Sequence, residues 1–306
     1  MRWFGWFRRR QSAEQPKQQG AAVALVGGRL RTRGIPYVMP RDASEINRLD
    51  FQHFLLRSAL RGNYAAPITH PRDILDVGTG TGRWAIEMAQ VFPRANVIGL
   101  DVNLPVVDEQ ATATGVEARP DNYAFVAGNI LEGLPFPDQS FDFVHMRLLV
   151  SALPHDQWQR VITELARVTR PGGWVESVET TLMEGGGPAL AQIISWGEPV
   201  MARRNIQMQD GARVAEYMTA AGLVNVNARR LELPCGRAGG HGGRVGAMVA
   251  TDYMTGAKAF AGLIVAQGLA TQAEVDDVLT RAVAELDSRH ITVVAPIYFA
   301  YGQRSQ

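Results

Sequence analysis

Cysteine is nearly absent from this chain. Cys235 is the only one in 306 residues, which excludes a disulfide framework and cysteine-rich zinc sites and fits a reducing, cytoplasmic compartment. Lysine is almost as scarce: Lys17 and Lys258 stand alone, and every other basic residue is arginine. Composition bias from a GC-rich genome explains this without any special recognition role. The formal net charge is +1, so no basic excess argues for nucleic acid. No run approaches the roughly 20 apolar residues needed to span a bilayer. His241 lies in a glycine-rich stretch without companion ligands, and no metal site is expected. What remains is an ordinary apolar fraction of 46%, and a length that suits one large α/β domain with additions or two smaller domains.

The chain starts Met1-Arg2-Trp3-Phe4-Gly5-Trp6-Phe7 and continues with three arginines. It has no long apolar core and no small-residue cleavage site, so it does not read as a signal peptide. Aromatics followed by arginines suit an anionic membrane surface, but ten residues make a weak anchor. The polar stretch 11–20, with Pro16, favours a flexible tail. We therefore divide the chain into a basic and aromatic leader over 1–34, a helical cap over 35–70, and a main domain over 71–306 with a helical insertion at about 240–290.

Periodicity organises the rest. Residues 35–40 read as extended because of Pro36 and Pro40. A helix follows from Asp42 or Ser44, with Ser44 as its cap, and ends near Arg61-Gly62-Asn63. Strands at 73–78, 96–101, 122–127, 141–146 and 174–179 alternate with helices at 82–92, 104–115 and 155–169, the last stopped by Arg170-Pro171-Gly172-Gly173. This spacing implies a mainly parallel sheet covered by helices on both faces. Further helices are expected at 188–205, 209–221, 244–267 and 271–288, with strands at 224–233 and 291–301. Residues 236–246 read as a loop. Gly268 with Thr271 and Glu274 forms a stop followed by a capping box.

The most informative run is Asp73-Ile74-Leu75-Asp76-Val77-Gly78-Thr79-Gly80-Thr81-Gly82. It reads as a buried strand, a glycine turn and the start of a helix. Glycine permits left-handed backbone and close approach of a ligand, and the helix start presents unpaired N–H groups. Asp101 closes the next strand, where a carboxylate can accept both hydroxyls of a ribose. Ligands of such sheets sit beyond the carboxyl ends of the strands. These features describe a pocket for a nucleoside-containing cofactor. The spacing differs from the G-x-G-x-x-G of nicotinamide and flavin domains, so a nicotinamide dehydrogenase is the distant alternative.

Gly78-x-Gly80-x-Gly82 behind Asp76, Asp101 after the second strand, Gly128-Asn129-Ile130 after the third, Phe136-Pro137-Asp138 before the fourth and Arg170-Pro171-Gly172-Gly173 before the fifth together resemble the class I S-adenosylmethionine-dependent methyltransferases. Arg48-Leu49-Asp50-Phe51-Gln52-His53, Gly62-Asn63-Tyr64 and the final segment 291–303 are similar to the LaeA-like branch found in secondary metabolism. The resemblance covers roughly residues 35–304. It implies a Rossmann-like sheet of seven strands with the last antiparallel, and S-adenosylmethionine as cofactor with S-adenosylhomocysteine as product.

The resemblance also implies roles. Gly78, Thr79, Gly80 and Gly82 would approach the cofactor, with Asp76 orienting the loop and holding the ammonium end. Asp101, beside Val102, would take the ribose; Asn129 and Ile130 would meet the adenine; Met146 would lie near the methyl group. Tyr37, Gln52, His53 and Tyr64 belong to the front segment that shapes the acceptor pocket in that family. Arg147 either binds an acidic group on the acceptor or pairs internally with Glu176 or Glu179. His53 is the candidate general base, although a histidine on an apolar helix is more often structural. The apolar residues Met248, Met254, Phe260, Leu263 and Ile264 either line the pocket or form plain core.

Methyl transfer from a sulfonium relies on in-line positioning more than on charged catalytic groups, so the lack of a catalytic triad does not argue against an enzyme. A small-molecule acceptor, natural-product-like, is the leading expectation. A protein or nucleic-acid methyltransferase is the alternative, though no basic stripe supports it and no Asn-Pro-Pro-Tyr follows the fourth strand. A third reading is a cofactor-binding regulatory protein without turnover.

Overall fold

A computed structural model describes residues 23–26, 29–32, 36–37, 39–40, 42–103, 119–236 and 242–306. In chain order its elements are β1 (Val23–Val26), β2 (Arg29–Thr32), α1 (Ala43–Leu60), β3 (Asp73–Val77), α2 (Arg83–Val91), β4 (Asn96–Asp101), β5 (Tyr123–Ala127), β6 (Phe141–Arg147), α3 (Trp158–Val168), β7 (Thr169–Thr180), β8 (Glu184–Gly185), α4 (Pro188–Ala202), α5 (Val214–Ala220), β9 (Leu223–Pro234), α6 (Gly243–Ala266), α7 (Gln272–Leu286) and β10 (Val293–Arg304). The expected helix at 104–115, the first 22 residues of the expected leader and residues 237–241 of the expected glycine loop lie outside the described residues.

The central sheet runs β5-β4-β3-β6-β7-β10, with β9 on the far side of β10. The first five strands are parallel, while β10 is antiparallel to both β7 and β9. This is the expected seven-strand arrangement, extended by the two-residue β8 along β10. Alternation along each strand sorts side chains to two faces. Leu75, Val77, Val144, Met146 and Val175 pack with Trp158, Ile162 and Leu165 of α3 and with α5. Ile74, Val97 and Phe143 pack with Trp84, Ala85 and Met88 of α2. A third cluster joins α4, α6 and α7 to Val178, Ala295 and Ile297 at one end of the sheet.

Several expectations shift for local physical reasons. Asp42, not Ser44, caps α1. Its carboxylate accepts the Glu45 N–H at 3.1 Å while Arg29 grips both oxygens at 2.7 and 2.5 Å. Arg61, not Gly62, takes the left-handed position that ends the helix, at φ 57°. Part of the expected leader is ordered: β1 and β2 pair antiparallel, and Arg31 is buried where it donates to the Ala259 carbonyl of α6. The turn Arg170-Pro171-Gly172-Gly173 is drawn into β7. Phe141 pairs with Thr169 but Phe143 with Trp174, and Gly172 at φ 78° absorbs the extra residues. The helix expected at 209–221 divides into a 3-10 stretch, Met208–Arg213, and α5. Gly211 there lies so close to the Thr180 carbonyl that no Cβ would fit. The capping box opening α7 forms as expected, with Thr271 and Glu274 exchanging bonds.

Candidate functional site

The carboxyl ends of β3, β4 and β6 open into a cavity of about 510 Å³, roofed by α1 and extended toward α4 and α6. The three glycines after β3 all have positive φ, at 72°, 56° and 79°, but they meet different neighbours. A Cβ on Gly78 would strike the Leu149 side chain, and one on Gly82 would strike the Tyr123 hydroxyl. At Gly80 the nearest atom is Leu49 Cδ1 at 3.7 Å. Gly80 is thus the residue whose bare backbone faces open cavity. Gly82 does not line the cavity; its missing side chain lets α2 start against Tyr123. Close packing within the protein accounts for that glycine, contrary to the expectation of contact with the cofactor.

Asp101 projects into the cavity at the end of β4. Its two oxygens accept the N–H groups of Gly80, at 3.0 Å, and Asn103, at 2.9 Å. Val102, Asn129 and Ile130 complete this end. The Asn129 side-chain oxygen already caps the next turn by accepting the Leu131 N–H at 3.1 Å. A carboxylate on the cavity wall, a left-handed glycine with room for a ligand and an apolar shelf at Ile130 fit a nucleoside with a flexible charged arm.

Asp76 is buried. One oxygen accepts the Thr79 hydroxyl at 2.7 Å and the other faces His145 Nδ1 at 2.8 Å. His145 is covered in turn by Trp84, stacked at 3.8 Å with 4° between the planes. Asp76 thereby orients the glycine loop from below. Met146 belongs elsewhere. It is fully buried in the core against α3, because alternation puts His145 and Arg147 on the opposite face from it. Tyr64 also stays outside the cavity, packed edge-on against Phe143 and against Phe92. Of the apolar residues on α6 named above, Phe260 reaches the cavity, whereas Met254, Leu263 and Ile264 are core.

His53 and Arg147 do meet in the cavity wall. Arg147 Nη2 lies 3.1 Å from His53 Nδ1. A guanidinium only donates, so Nδ1 accepts and the ring hydrogen sits on Nε2. That nitrogen lies 3.1 Å from Glu87 Oε1. Burial, and then the Arg147 charge, hold the His53 pKa below its ordinary value. With one nitrogen committed to Arg147 and the other facing Glu87, His53 is placed to position Arg147 and offers no free lone pair to an acceptor. The chain leaves β6 at Leu148, a left-handed residue at φ 54°. The internal partners anticipated for Arg147 are engaged by backbone instead. Glu176 accepts the Ala65 and Ala66 N–H groups at 2.7 and 2.6 Å, and Glu179 accepts those of Leu149 and Val150 at 3.1 and 3.0 Å. Burial raises the pKa of both carboxyls, that of Glu179 to about 8.

Tyr37 and Gln52 join a network that residue pattern alone did not disclose. Arg48 binds Glu45 through two nitrogens, at 2.9 and 2.7 Å, and reaches Asp252 of α6 at 3.1 Å. Gln52 donates to the same Asp252 at 2.9 Å, and the Tyr37 hydroxyl donates to Glu45 at 3.3 Å. The front helix is thus tied to the insertion across the cavity mouth. A signal existed in Glu45 and Arg48, charged at i and i+3 on the inward side of α1, and in Asp252, the sole acidic residue of α6. Cys235 is buried, and burial pushes its thiol up to about 12, so it offers no nucleophile. No group of three or more potential metal ligands occurs among the described residues, and none of their helices is long and apolar enough to cross a membrane.

Comparison with known proteins agrees with this geometry. A family model for a methyltransferase domain matches residues 74–173. The N-methyltransferase sirN of Leptosphaeria maculans is 30% identical over 230 residues, covering 72% of this chain and 78% of that protein. The methyltransferase str2 of Strobilurus tenacellus is 36% identical over 146 residues, 46% of this chain and 47% of the relative, so the chain spans about half the length of that protein. Among solved structures, an Anabaena variabilis protein described as a methyltransferase of an antibiotic biosynthesis pathway superposes with a TM-score of 0.51 at 17% identity, over 88% of this chain and all of the other. That last likeness speaks for the fold alone.

Proposed function

The chain belongs to the class I S-adenosylmethionine-dependent methyltransferases, and from that premise we propose that it methylates a small, largely apolar acceptor of the natural-product type. The observation that carries this is the continuity of one cavity. Its near end holds Gly80 and Asp101, and its far end is walled by Leu148, Leu182, Ile193, Val249 and Phe260.

When bound, S-adenosylmethionine supplies an electrophilic methyl group on a sulfonium. We assign the ribose hydroxyls to Asp101, the close backbone approach to Gly80 with Gly78 and Thr79 beside it, and the adenine to Val102, Asn129 and Ile130. Asp76 and His145 hold the loop in shape. Tyr37 and Gln52 sit in the roof through the Glu45–Arg48–Asp252 network, which closes α1 against α6 and excludes water. Alignment of acceptor and methyl in such an enclosed site supplies most of the rate enhancement, up to roughly 7–11 kcal/mol in well-oriented systems. No side chain is assigned as general base, since the His53 nitrogens face Arg147 and Glu87.

The N-methyltransferase and methyltransferase relatives of fungal origin support the acceptor class. Titration calorimetry with S-adenosylmethionine, followed by an S-adenosylhomocysteine assay over a panel of apolar amines, phenols and carboxylic acids, tests the reading. Binding together with turnover of at least one such acceptor is expected. No heat and no thermal shift at millimolar cofactor would sink it, as would turnover confined to proteins or nucleic acids.

A further inference from the structure

Three arginines line the cavity, and their pairing differs. Arg48 is matched by Glu45 and Asp252, and Arg83 approaches Asp50 at 3.5 Å. Arg147 has no carboxylate within ion-pairing distance among the described residues. Its hydrogen-bond partner is the uncharged Nδ1 of His53. The acids around it bond elsewhere: Asp76 to Thr79 and His145, Glu87 to Asn63 and Arg57, Glu179 to backbone amides, and Glu176 to backbone amides through Oε2 alone. A half-buried cation is costly when no carboxylate touches it, and Asp76, Glu87, Glu176 and Glu179 act on Arg147 only from beyond contact. This one is held in place from both sides, by His53 with Glu87 behind it and by the left-handed turn at Leu148.

Position indicates what it awaits. Arg147 ends β6, one residue beyond the row that pairs Met146 with Val77 and Ser177. It therefore stands where the glycine end of the cavity passes into the apolar chamber. A fixed guanidinium beside a sulfonium repels it unless an anion lies between. Arginine also presents parallel donors that match a carboxylate.

We propose that Arg147 is the anion anchor for the acceptor, and that the acceptor is an apolar molecule carrying a carboxylate or an ionised phenol or enol. This rests on the methyltransferase reading of the same cavity. His53 and Glu87 are its positioning residues.

The test uses two probes of equal shape, 2-naphthoate and 2-naphthamide, titrated into the full chain with saturating S-adenosylhomocysteine and again without it. The wild type is expected to bind the naphthoate at least tenfold more tightly than the amide. R147Q is expected to abolish the difference, and R147K to keep part of it, with S-adenosylhomocysteine affinity unchanged within threefold in both. Equal binding of the two probes by the wild type overturns the proposal, and that comparison stands whether or not R147Q folds. A preference that survives R147Q overturns it too. So does a tenfold loss of S-adenosylhomocysteine binding in R147Q, which would assign the guanidinium to the cofactor's own carboxylate. Failure of the wild type to bind S-adenosylhomocysteine would strike the underlying methyltransferase reading, while the naphthoate preference would still be read without it.

Discussion

Asp76 Oδ1 lies 2.8 Å from His145 Nδ1, and the imidazole is covered by the parallel ring of Trp84 at 3.8 Å. The two residues are direct neighbours across β3 and β6. The other Asp76 oxygen holds Thr79 in the glycine loop. A side chain of β6 thus fixes the shape of the loop that follows β3. Removing the imidazole in H145A would leave a buried carboxylate one hydrogen-bond partner short, a change that costs about 1–3 kcal/mol. Chemical denaturation should show that loss. S-adenosylhomocysteine affinity should fall with it, because Thr79 and Gly80 lose their support.

Asp101 is tested by D101N, which keeps the size of the side chain, removes the charge and leaves one oxygen to accept either the Gly80 or the Asn103 N–H. Hydrogen bonds to a charged group are worth about 1.5–3 kcal/mol each, so S-adenosylhomocysteine should bind tenfold to a hundredfold more weakly by calorimetry. Wild-type affinity in D101N would remove Asp101 from the ribose.

The glycine loop predicts two different defects from one kind of substitution. G80A adds a methyl group facing the cavity, with Leu49 Cδ1 at a comfortable 3.7 Å, and pays mainly for left-handed backbone, roughly 1 kcal/mol. It should weaken cofactor binding more than it lowers the melting temperature. G82A forces its methyl against the Tyr123 hydroxyl and should do the reverse.

Much of this was legible beforehand, and the failures share a cause. Gly80 and Asp101 are local signals, a turn chemistry and a strand end, and both face the cavity. The Thr271–Glu274 box is local too and formed as read. Met146 and Tyr64 failed because nearness along the chain does not say which face of the sheet a side chain takes. Alternation from Phe143 through Arg147 decides it, and the sign of that alternation is set by α3 on one side and α2 on the other. His53 looked like a base because its partners, Arg147 and Glu87, come from elements far away in sequence. Asp42 outcompeted Ser44 as a cap because Arg29, from a segment read as a tail, anchors it.

Glu179 gives the fold a pH dependence with a definite sign. Burial raises its pKa from 4.5 to about 8, so the folded state binds a proton that the unfolded chain releases. The associated stability is complete below about pH 4.5 and is lost as pH rises toward 8. Glu176 shifts in the same direction. E179Q cannot ionise, so its melting temperature should decline less than that of the wild type between pH 5 and 8. At this size each kcal/mol corresponds to about 2 °C. Parallel curves for the two proteins would refute the assignment.

Strand β10 is paired with β8 and then β7 on one side and with β9 on the other. Pro234, which closes β9, is the register partner of Val294 near the start of β10. The whole helical excursion of α6 and α7 therefore leaves and re-enters the sheet at two adjacent points, like a drawer seated in a fixed frame. Exchanging residues 235–292 for the equivalent stretch of a relative would keep both rails, the glycine loop and Asp101 in place. What would change is the chamber wall carrying Val249, Asp252, Tyr253 and Phe260, provided the new stretch brings its own counterpart to Arg48. One wall of the cavity is thereby exchangeable, while Arg147, Leu148, Leu182 and Ile193 stay with the sheet and α4.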